Sequence, residues 1–368
     1  MKPTPIYMQI VEHIKSKIVS GEYAINDQLP TEMELANQFK TSRPTVVKAL
    51  DKLLTLGIIY KIQGKGSFVN PNYQNTMIQN SNIVSLIMPF ADYRRSNRSD
   101  ELNIIKGIES KLSKHDYYLM IHYCKNTETD FLAAMRKVKT SMSKGTIAYV
   151  AQNLNNTEEI FDIFLDNQPV VLLDKSILGT NLPCVKVDNT KGALLGTKHL
   201  VDCHYDVIYF LSDLNMTLNE SVRERYWGFR KISVSNEGKA QFEHLFFNDD
   251  NQSLSNEMIT ESLSDIVKQH EGKRIGFLCV SDYFAYRVCN AVQSLGISMP
   301  EQVGVVGFDG LDMPLPNHKY LTTIQHDFFG IGENAAELMI KTVKNVNLPA
   351  QIIITDVKLK VRDTTIDF

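Results

Sequence analysis

The stretch LPTEMELANQFKTSRPTVVKAL, Leu29 to Leu50, decides how this chain is read. Thr31 and Glu34 have the spacing of a capping box, in which each side chain satisfies an N–H left unpaired at a helix start. Ser42 has the chemistry of an N-cap for a second helix, and Pro44 falls in that helix's first turn, where no backbone donor is needed. Val46, Ala49, Leu50 and Leu53 recur at helical spacing as a buried stripe, while Arg43, Thr45 and Lys48 share the same helix. Two short helices joined by a tight turn, the second with a basic and polar face, form a helix-turn-helix layout. The partner this implies is double-stranded DNA.

Towards the N-terminus, Thr4-Pro5 reads as N-cap and first-turn proline of another helix, along which Ile6, Ile10, Ile14 and Ile18 repeat at every fourth position before Gly21 closes it. Towards the C-terminus, Gly57 ends the third helix. Ile58 to Ile62 and Ser67 to Val69 are then short apolar runs around Gly64-Lys65-Gly66, a hairpin signal. Three helices and a hairpin make a winged helix-turn-helix.

In order along residues 3–70 stand P-x-Y-x-Q-I (Pro5, Tyr7, Gln9, Ile10), L-P-T-E (Leu29 to Glu32), S-R-x-T-V (Ser42, Arg43, Thr45, Val46), A-L-x-x-L (Ala49, Leu50, Leu53) and Q-G-x-G-x-F-V (Gln63 to Val69). This resembles the DNA-binding domain of the GntR family of bacterial regulators. The resemblance implies contacts to operator DNA from Thr31, Glu32, Ser42, Arg43, Thr45 and Lys48, and from Gln63, Gly64, Lys65 and Gly66 of the wing. Arg43 and Lys48 suit guanine edges or phosphates, and Thr45 a phosphate or thymine methyl. Lys48 stands where many relatives have Arg, and without the guanidinium fork it suits a phosphate or a looser base contact. Glu32 either orients the basic side chains or only complements its helix N-terminus. The wing glycines allow the backbone close to phosphates, and Lys65 can enter the minor groove or neutralise charge there.

The gross numbers are compatible with this. The chain of 368 residues has room for two or three domains, and 43% apolar with 22% charged residues is an ordinary globular composition. Residues 1–70 carry eight Lys and one Arg against six Asp or Glu, a net +3, which leaves −6 for the rest of a chain totalling −3. Five cysteines, an odd number without a C-x-x-C pair, fit a reducing compartment. No apolar run reaches a membrane span, and the first residues lack the h-region of a secretory signal, so a cytoplasmic protein is expected.

Residues 71–81, polar and rich in Asn, read as a linker. From Ile83 onward, apolar runs (IVSLIM, YYLMIH, GTIAYV, PVVLLD, DVIYFL, KRIGFLCV, QVGVVGF) alternate with helical stretches. That alternation means α/β architecture with parallel sheets covered on both faces, and the number of strands suggests two doubly wound lobes. In open α/β sheets ligands sit beyond the carboxyl ends of the strands. That rule selects Phe90, Asp92 and Tyr93 after the first run, then Asp174, then Ser281 and Asp282, then Asp309. Each aspartate taken alone could be the N-cap of the next helix. Four at one topological edge favour a ligand cleft, and carboxylates with aromatic neighbours suit a polyol.

A second resemblance runs from about Ile83 to Val361. Val187-Asp188-Asn189, Gly192-Ala193, His199-Leu200, Glu224-Arg225 with Gly228-Phe229, Ser281-Asp282, Gly296 with Pro300, Val305 to Asp309 and Leu321 to Ile324 look like successive motifs of the LacI/GalR family sensor domain. It implies a two-lobed, periplasmic-binding-protein-like fold over 82–368, with the chain crossing between lobes three times. Lobe 1 would hold about 82–188 and 323–345, and lobe 2 about 189–322 and 346–368. Arg225 matches the family's effector-binding arginine and Asp309 the position whose carboxylate grips sugar hydroxyls. The usual Asn-Asp is Ser281-Asp282 here, and the usual Gln after L-T-T-hydrophobic is displaced, so that Gln325-His326 follows Ile324 and brings His326 into the candidate set.

No nucleophile elbow, P-loop or H-E-x-x-H occurs, and the pair His199 and His204 near Cys203 lacks a partner cluster. No metal, no cofactor and no catalysis are expected. Trp227 is expected to pack within a lobe beside Arg225. The expectation is a homodimeric transcriptional regulator, a repressor of carbohydrate genes, controlled by a mono- or small saccharide. Sensing of a nucleobase or other metabolite, or action as an activator, remains open.

Overall fold

The computed structural model describes residues 5–72, 81–90, 99–139, 141, 143–150, 154, 159, 162–163, 169–177, 179–214, 219–235, 240–247, 254–345 and 349–366. The expected linker falls mostly outside them. The chain divides into two compact units, residues 1–83 with 139–144 and residues 84–138 with 145–368.

The first unit contains α1 (Ile6–Val19), α2 (Glu32–Gln38), α3 (Arg43–Thr55), β1 (Ile59–Ile62) and β2 (Gly66–Val69). Its core is the expected stripes: Ile10, Ile14 and Ile18 pack with Leu35, Val46, Ala49, Leu50 and Leu53, and Ile58, Ile59 and Val69 of the hairpin close it. Ile6 departs from the stripe and is exposed, because it is the first residue of α1, one turn before the core begins. Pro5 is the N-cap of α1 rather than a first-turn residue. Its extended backbone leaves its carbonyl to accept from Met8 and Gln9, while Thr4 lies outside the described residues. Thr31 forms the capping box with Glu34, both bonds being present. Ser42 occupies the N-cap position of α3 but makes no cap bond, because its hydroxyl pairs with that of Thr45 at 2.9 Å instead. In the hairpin, Ile62 stands opposite Gly66, and Gly64 (φ 76°) and Gly66 (φ 117°) adopt conformations that disfavour a side chain.

The second unit holds two six-stranded sheets. One comprises β3 (Ile83–Phe90), β4 (Tyr118–Lys125), β5 (Gly145–Tyr149), β6 (Val170–Leu173), β7 (Cys184–Val187) and β13 (Ile352–Thr355), in the order β13-β7-β6-β5-β3-β4. The other comprises β8 (Val207–Ser212), β9 (Gln241–Phe246), β10 (Ile275–Cys279), β11 (Val303–Asp309), β12 (Thr322–His326) and β14 (Val357–Lys360), in the order β14-β12-β11-β10-β8-β9. The helices between them are α4 (Ser99–Ser113), α5 (Glu128–Lys139), α6 (Asn189–Asp202), α7 (Glu220–Ser235), α8 (Asn256–Gln269), α9 (Asp282–Ser294) and α10 (Phe328–Lys344).

All seven apolar runs form strands. Five further strands (β7, β9, β12, β13 and β14) lacked a run long or apolar enough to be legible, and β14 pairs antiparallel with β12, so the second sheet is not wholly parallel. The chain passes between sheets after Val187, after His326 and after Thr355. The second and third passages differ from the expected exchanges at 323 and 346. Thr322 to Gln325 stay with the second sheet through their register against Val306 to Asp309, and Ile352–Thr355 returns to pair with β7. All five cysteines are buried free thiols. Trp227 is more than half exposed rather than packed in a lobe, since it lies on the outer face of α7.

Candidate nucleic-acid interface and ligand cavity

In the first unit, α3 presents Arg43, whose side chain is largely exposed and whose Nε donates to Glu32 Oε2 at 2.8 Å. The second Glu32 oxygen lies 3.5 Å from Lys61 Nζ of β1. The Arg43 hydrogen bond, more than any other cause, holds the Glu32 carboxyl below its ordinary range. Glu32 thus pairs with basic side chains from two elements and also stands in the first turn of α2, so the structure is compatible with both of its expected readings. Lys48 turns back over α1, with Nζ 4.4 Å from the centre of the Tyr7 ring, where the ring's negative face attracts a cation. Thr45 shares its hydroxyl with Ser42, and Thr31 is exposed but committed to capping α2. At the wing, Gln63, Gly64 and Lys65 are exposed. Gln28 was missed by sequence reasoning. Its Nε2 donates to the Lys65 carbonyl at 2.6 Å and lies where a side chain at Gly66 would go, so it braces the tip. No local pattern signals a contact across 37 residues.

In the second unit, a cavity of about 460 Å³ is lined from both sheets. Asp174, Arg225, Ser281, Asp309 and His326 of the expected set line it. Phe90 ends β3, but its side chain, with Asp92 and Tyr93, lies outside the described residues. Asp282 is not on the wall. It is fully buried beneath it, with its carboxylate accepting from Leu311 N (2.7 Å) and Thr323 Oγ1 (2.6 Å). The absence of a side chain at Gly307 makes the room, since a Cβ there would stand 2.1 Å from Asp282 Oδ1. Burial pushes the Asp282 carboxyl up to about 6. Asp282 is thus a structural acid that ties the 'FLCV' edge to the loop after β11. Ser281 lines the cavity while its hydroxyl caps α9 by accepting from Phe284 N.

Asp174 and Asp309 both stand at strand ends with positive φ, 75° and 129°. Such backbone costs about 1–3 kcal/mol per residue and tends to collect at functional clefts. Arg225 is 8% exposed, and each of its three nitrogens faces a partner in the protein. Nε donates to Asn189 Oδ1 at 2.8 Å, Nη1 donates to the Val280 carbonyl, and Nη2 lies 3.6 Å from Asp309 Oδ1. The guanidinium stacks 3.8 Å from the centre of the Phe308 ring. The glycine of R-x-x-G-F explains how α7 reaches this depth. A Cβ at Gly228 would fall 2.3 Å from the Thr190 carbonyl, so only glycine lets α7 lie against α6. Burial raises Asp309 well above the carboxylate range, against the opposing pull of Arg225.

His326 ends β12, where the chain leaves the second sheet. Its ring packs edge-on to Phe308 and tilted against Phe328, and Nε2 is buried with no hydrogen-bond partner among the described residues. Burial first, then the Arg225 charge, holds its pKa well below 6.5, so the ring is neutral. Lining residues that sequence reasoning missed include Tyr149, Lys175 and Lys186. Tyr149 ends β5 and was reachable by the same strand-end rule, whereas the lysines were hidden in apolar context. Burial lowers the pKa of Lys175, whose Nζ is 3.9 Å from Asp174 Oδ2. Lys186 pairs with Glu220 and Glu224 of α7, and Ser176 donates to Glu220 through both its N–H and its hydroxyl. Among the described residues, no cluster of three or more His, Cys, Asp or Glu is placed to hold a metal ion, and no helix is long and apolar enough to cross a membrane.

Comparison with known proteins falls on the same two units. Residues 6–69 match the bacterial regulatory proteins of the gntR family, and residues 197–365 match the periplasmic binding protein-like domain. The arabinose metabolism transcriptional repressor of Geobacillus stearothermophilus is 27% identical over 93% of this chain and 92% of its own. That of Halalkalibacterium halodurans is 27% identical over 98% and 96%. A LacI family transcriptional regulator from Enterococcus faecium with bound ribose superposes with a TM-score of 0.59 at 19% identity, covering 77% of this chain and 98% of that one. The lac repressor dimer bound to operator gives 0.63 at 17%, covering 81% and 99%. The chain joins a gntR-family helix-turn-helix domain to a periplasmic-binding-protein-like domain.

Proposed function

We propose that this protein is a sequence-specific transcriptional repressor of carbohydrate-utilisation genes whose operator binding is governed by a sugar in the cavity of its second unit. The observation that carries the reading is the joining, in one chain, of a basic winged helix-turn-helix to a cavity walled by carboxylates and one buried arginine held by the protein. Its similarity over nearly full length to two arabinose metabolism repressors supports it. Asp174, Arg225, Asp309 and His326 are the effector residues. Carboxylates accept from vicinal hydroxyls, Arg225 donates, and the buried Nε2 of His326 gains the partner it lacks. Arg43 reads base edges, held in register by Glu32, while Lys65 and the wing glycines follow the backbone. One winged domain reads one half-site, so the protein acts in the cytoplasm as a homodimer on a pseudo-palindromic operator. Residues 1–70 read DNA, 71–81 link, and 82–368 sense.

Sugar control requires different affinities for the DNA-competent and DNA-released states. The test is thermal shift with aldopentoses, aldohexoses, purines and amino acids, followed by operator binding with and without the stabilising compound. Stabilisation by an aldopentose or aldohexose, coupled to altered operator affinity, is expected. Stabilisation by adenine or guanine alone would replace the sugar reading with a nucleobase one.

A further inference from the structure

Arg225 reaches the cavity at the end of a chain of hydrogen bonds that begins on the other sheet. Lys186, on β7 of the first sheet, donates to Glu224 Oε1. Glu224 Oε2 accepts from Asn189 Nδ2 at 3.0 Å, and Asn189 Oδ1 accepts from Arg225 Nε at 2.8 Å. Lys186 and Asn189 stand on either side of the first passage between sheets, one at the end of β7 and the other opening α6. Glu220, one turn before Glu224 on α7, takes a second bond from Lys186 at 2.9 Å and two from Ser176 after β6. All of these groups are buried or half-buried, where a polar atom that loses its partner costs about 1–3 kcal/mol.

The carboxamide of Asn189 is the pivot. It has one acceptor and one donor face, and in this chain the acceptor must point to Arg225 and the donor to Glu224. Glu224 fixes which way the amide is turned, and Lys186 neutralises Glu224 so that its charge does not compete with Asp309 for the guanidinium. A shift of β7 relative to α7 therefore reaches Arg225 through Lys186, which also lines the cavity, and through Glu224, which does not.

We propose that Asn189 and Glu224 are positioning residues for Arg225, anchored by Lys186 of the opposite sheet, so that the arginine is held for its effector only while the two lobes keep this spacing. The proposal rests on the effector reading of Arg225.

The test compares the full-length protein with E224Q, N189D and the double variant N189D/E224Q. In E224Q an amide N–H₂ must face either Lys186 or the Asn189 amide nitrogen, so one link breaks. In N189D two carboxylates oppose each other. In the double variant Lys186 donates to the new amide oxygen, the new amide nitrogen donates to one oxygen of the new carboxylate, and Arg225 donates to the other, so every link is remade. By calorimetry with arabinose, ribose and xylose, each single variant is expected to raise the dissociation constant of the tightest sugar about tenfold, with recovery to within about threefold in the double variant. K186M should match E224Q. In ligand-free crystal structures, Arg225 should leave its seat on Phe308 in a single variant and regain it in the double.

Losses that simply add in the double variant, or an Arg225 unmoved in both single variants, would overturn the positioning role. Wild-type affinity in K186M would overturn the anchoring. If none of the three sugars binds the wild-type protein, these aldopentoses are excluded as effectors, and the placement of Arg225 in the ligand-free variants still decides the relay.

Discussion

The two units place an arginine in opposite circumstances. Arg43 is largely exposed, held by one carboxylate eleven residues away and otherwise open to solvent. Arg225 is buried, with Asn189, Val280 and the neighbours Phe308 and Asp309 drawn from three separate parts of the chain. A surface ion pair such as Arg43–Glu32 contributes little stability, about 0–1 kcal/mol, so evolution can tune it for DNA contacts at small cost to the fold. The buried arginine cannot be changed so freely, because each partner it leaves is stranded without water. The difference teaches that the proposed DNA-reading face is assembled locally, whereas the cavity is assembled globally and its arginine is already paired before a ligand arrives.

The comparison breaks most severely at Arg225. Arg225→Ala strands Asn189 and Asp309 in a buried setting, and a loss of about 3–5 kcal/mol in urea unfolding is expected together with loss of the sugar response. Unchanged stability would mean that the guanidinium is solvated rather than engaged. Gly228→Ala should come next, since its Cβ meets the Thr190 carbonyl at 2.3 Å and α7 must move, at about 1–3 kcal/mol and with weakened sugar affinity. Gly64→Ala in the wing meets nothing within 4 Å, and only its positive φ costs, about 1–2 kcal/mol. Sugar affinity unchanged in Gly228→Ala, or weakened equally in Gly64→Ala, would erase the distinction between packing and conformation.

At the DNA face, Arg43→Ala should relax discrimination between operator and base-substituted sites by about 1–3 kcal/mol while leaving the fold intact. Equal losses on operator and random DNA would refute base reading. His326→Phe tests the buried histidine through pH. Its native pKa is depressed, so below pH ~6.5 the unfolded chain takes up a proton that the native ring does not, and stability falls as pH falls, by up to ~1.4 kcal/mol per pH unit. The variant should lose that component of the slope between about pH 7 and pH 5. Identical slopes would show a ring already open to protons. Smallest of all, Lys65→Ala should reduce the salt dependence of DNA binding by about one counterion, with little change in sequence preference.

The residues themselves explain why some of this was legible and some was not. The capping box of Thr31 and Glu34, the stripe from Val46 to Leu53 and the wing glycines obey rules spanning a few residues, and each was found where the sequence placed it. Ser42 was correctly located but wrongly employed, because the hydroxyl of Thr45 competes for it. The strand-end rule selected Asp174 and Arg225's partner Asp309, and the family resemblance, through its displaced L-T-T pattern, added His326; all three line the cavity. The strand-end rule also nominated Asp282, which shares their topology but sinks into the space over Gly307. A rule about strand ends cannot see whether a side chain faces the cleft or the layer beneath it.

From sequence alone came the two-part organisation, the α/β lobes, the helix-turn-helix and the carboxylate edge, because short-range periodicity, capping chemistry and strand termini are written in neighbouring residues. Tertiary structure alone decided the contacts of Asp282, Gln28, Lys186 and Asn189, and the sheet to which β12 and β13 belong. Each depends on a contact across tens of residues, set by register and close packing, and a buried polar group shows its function only once its partners are known.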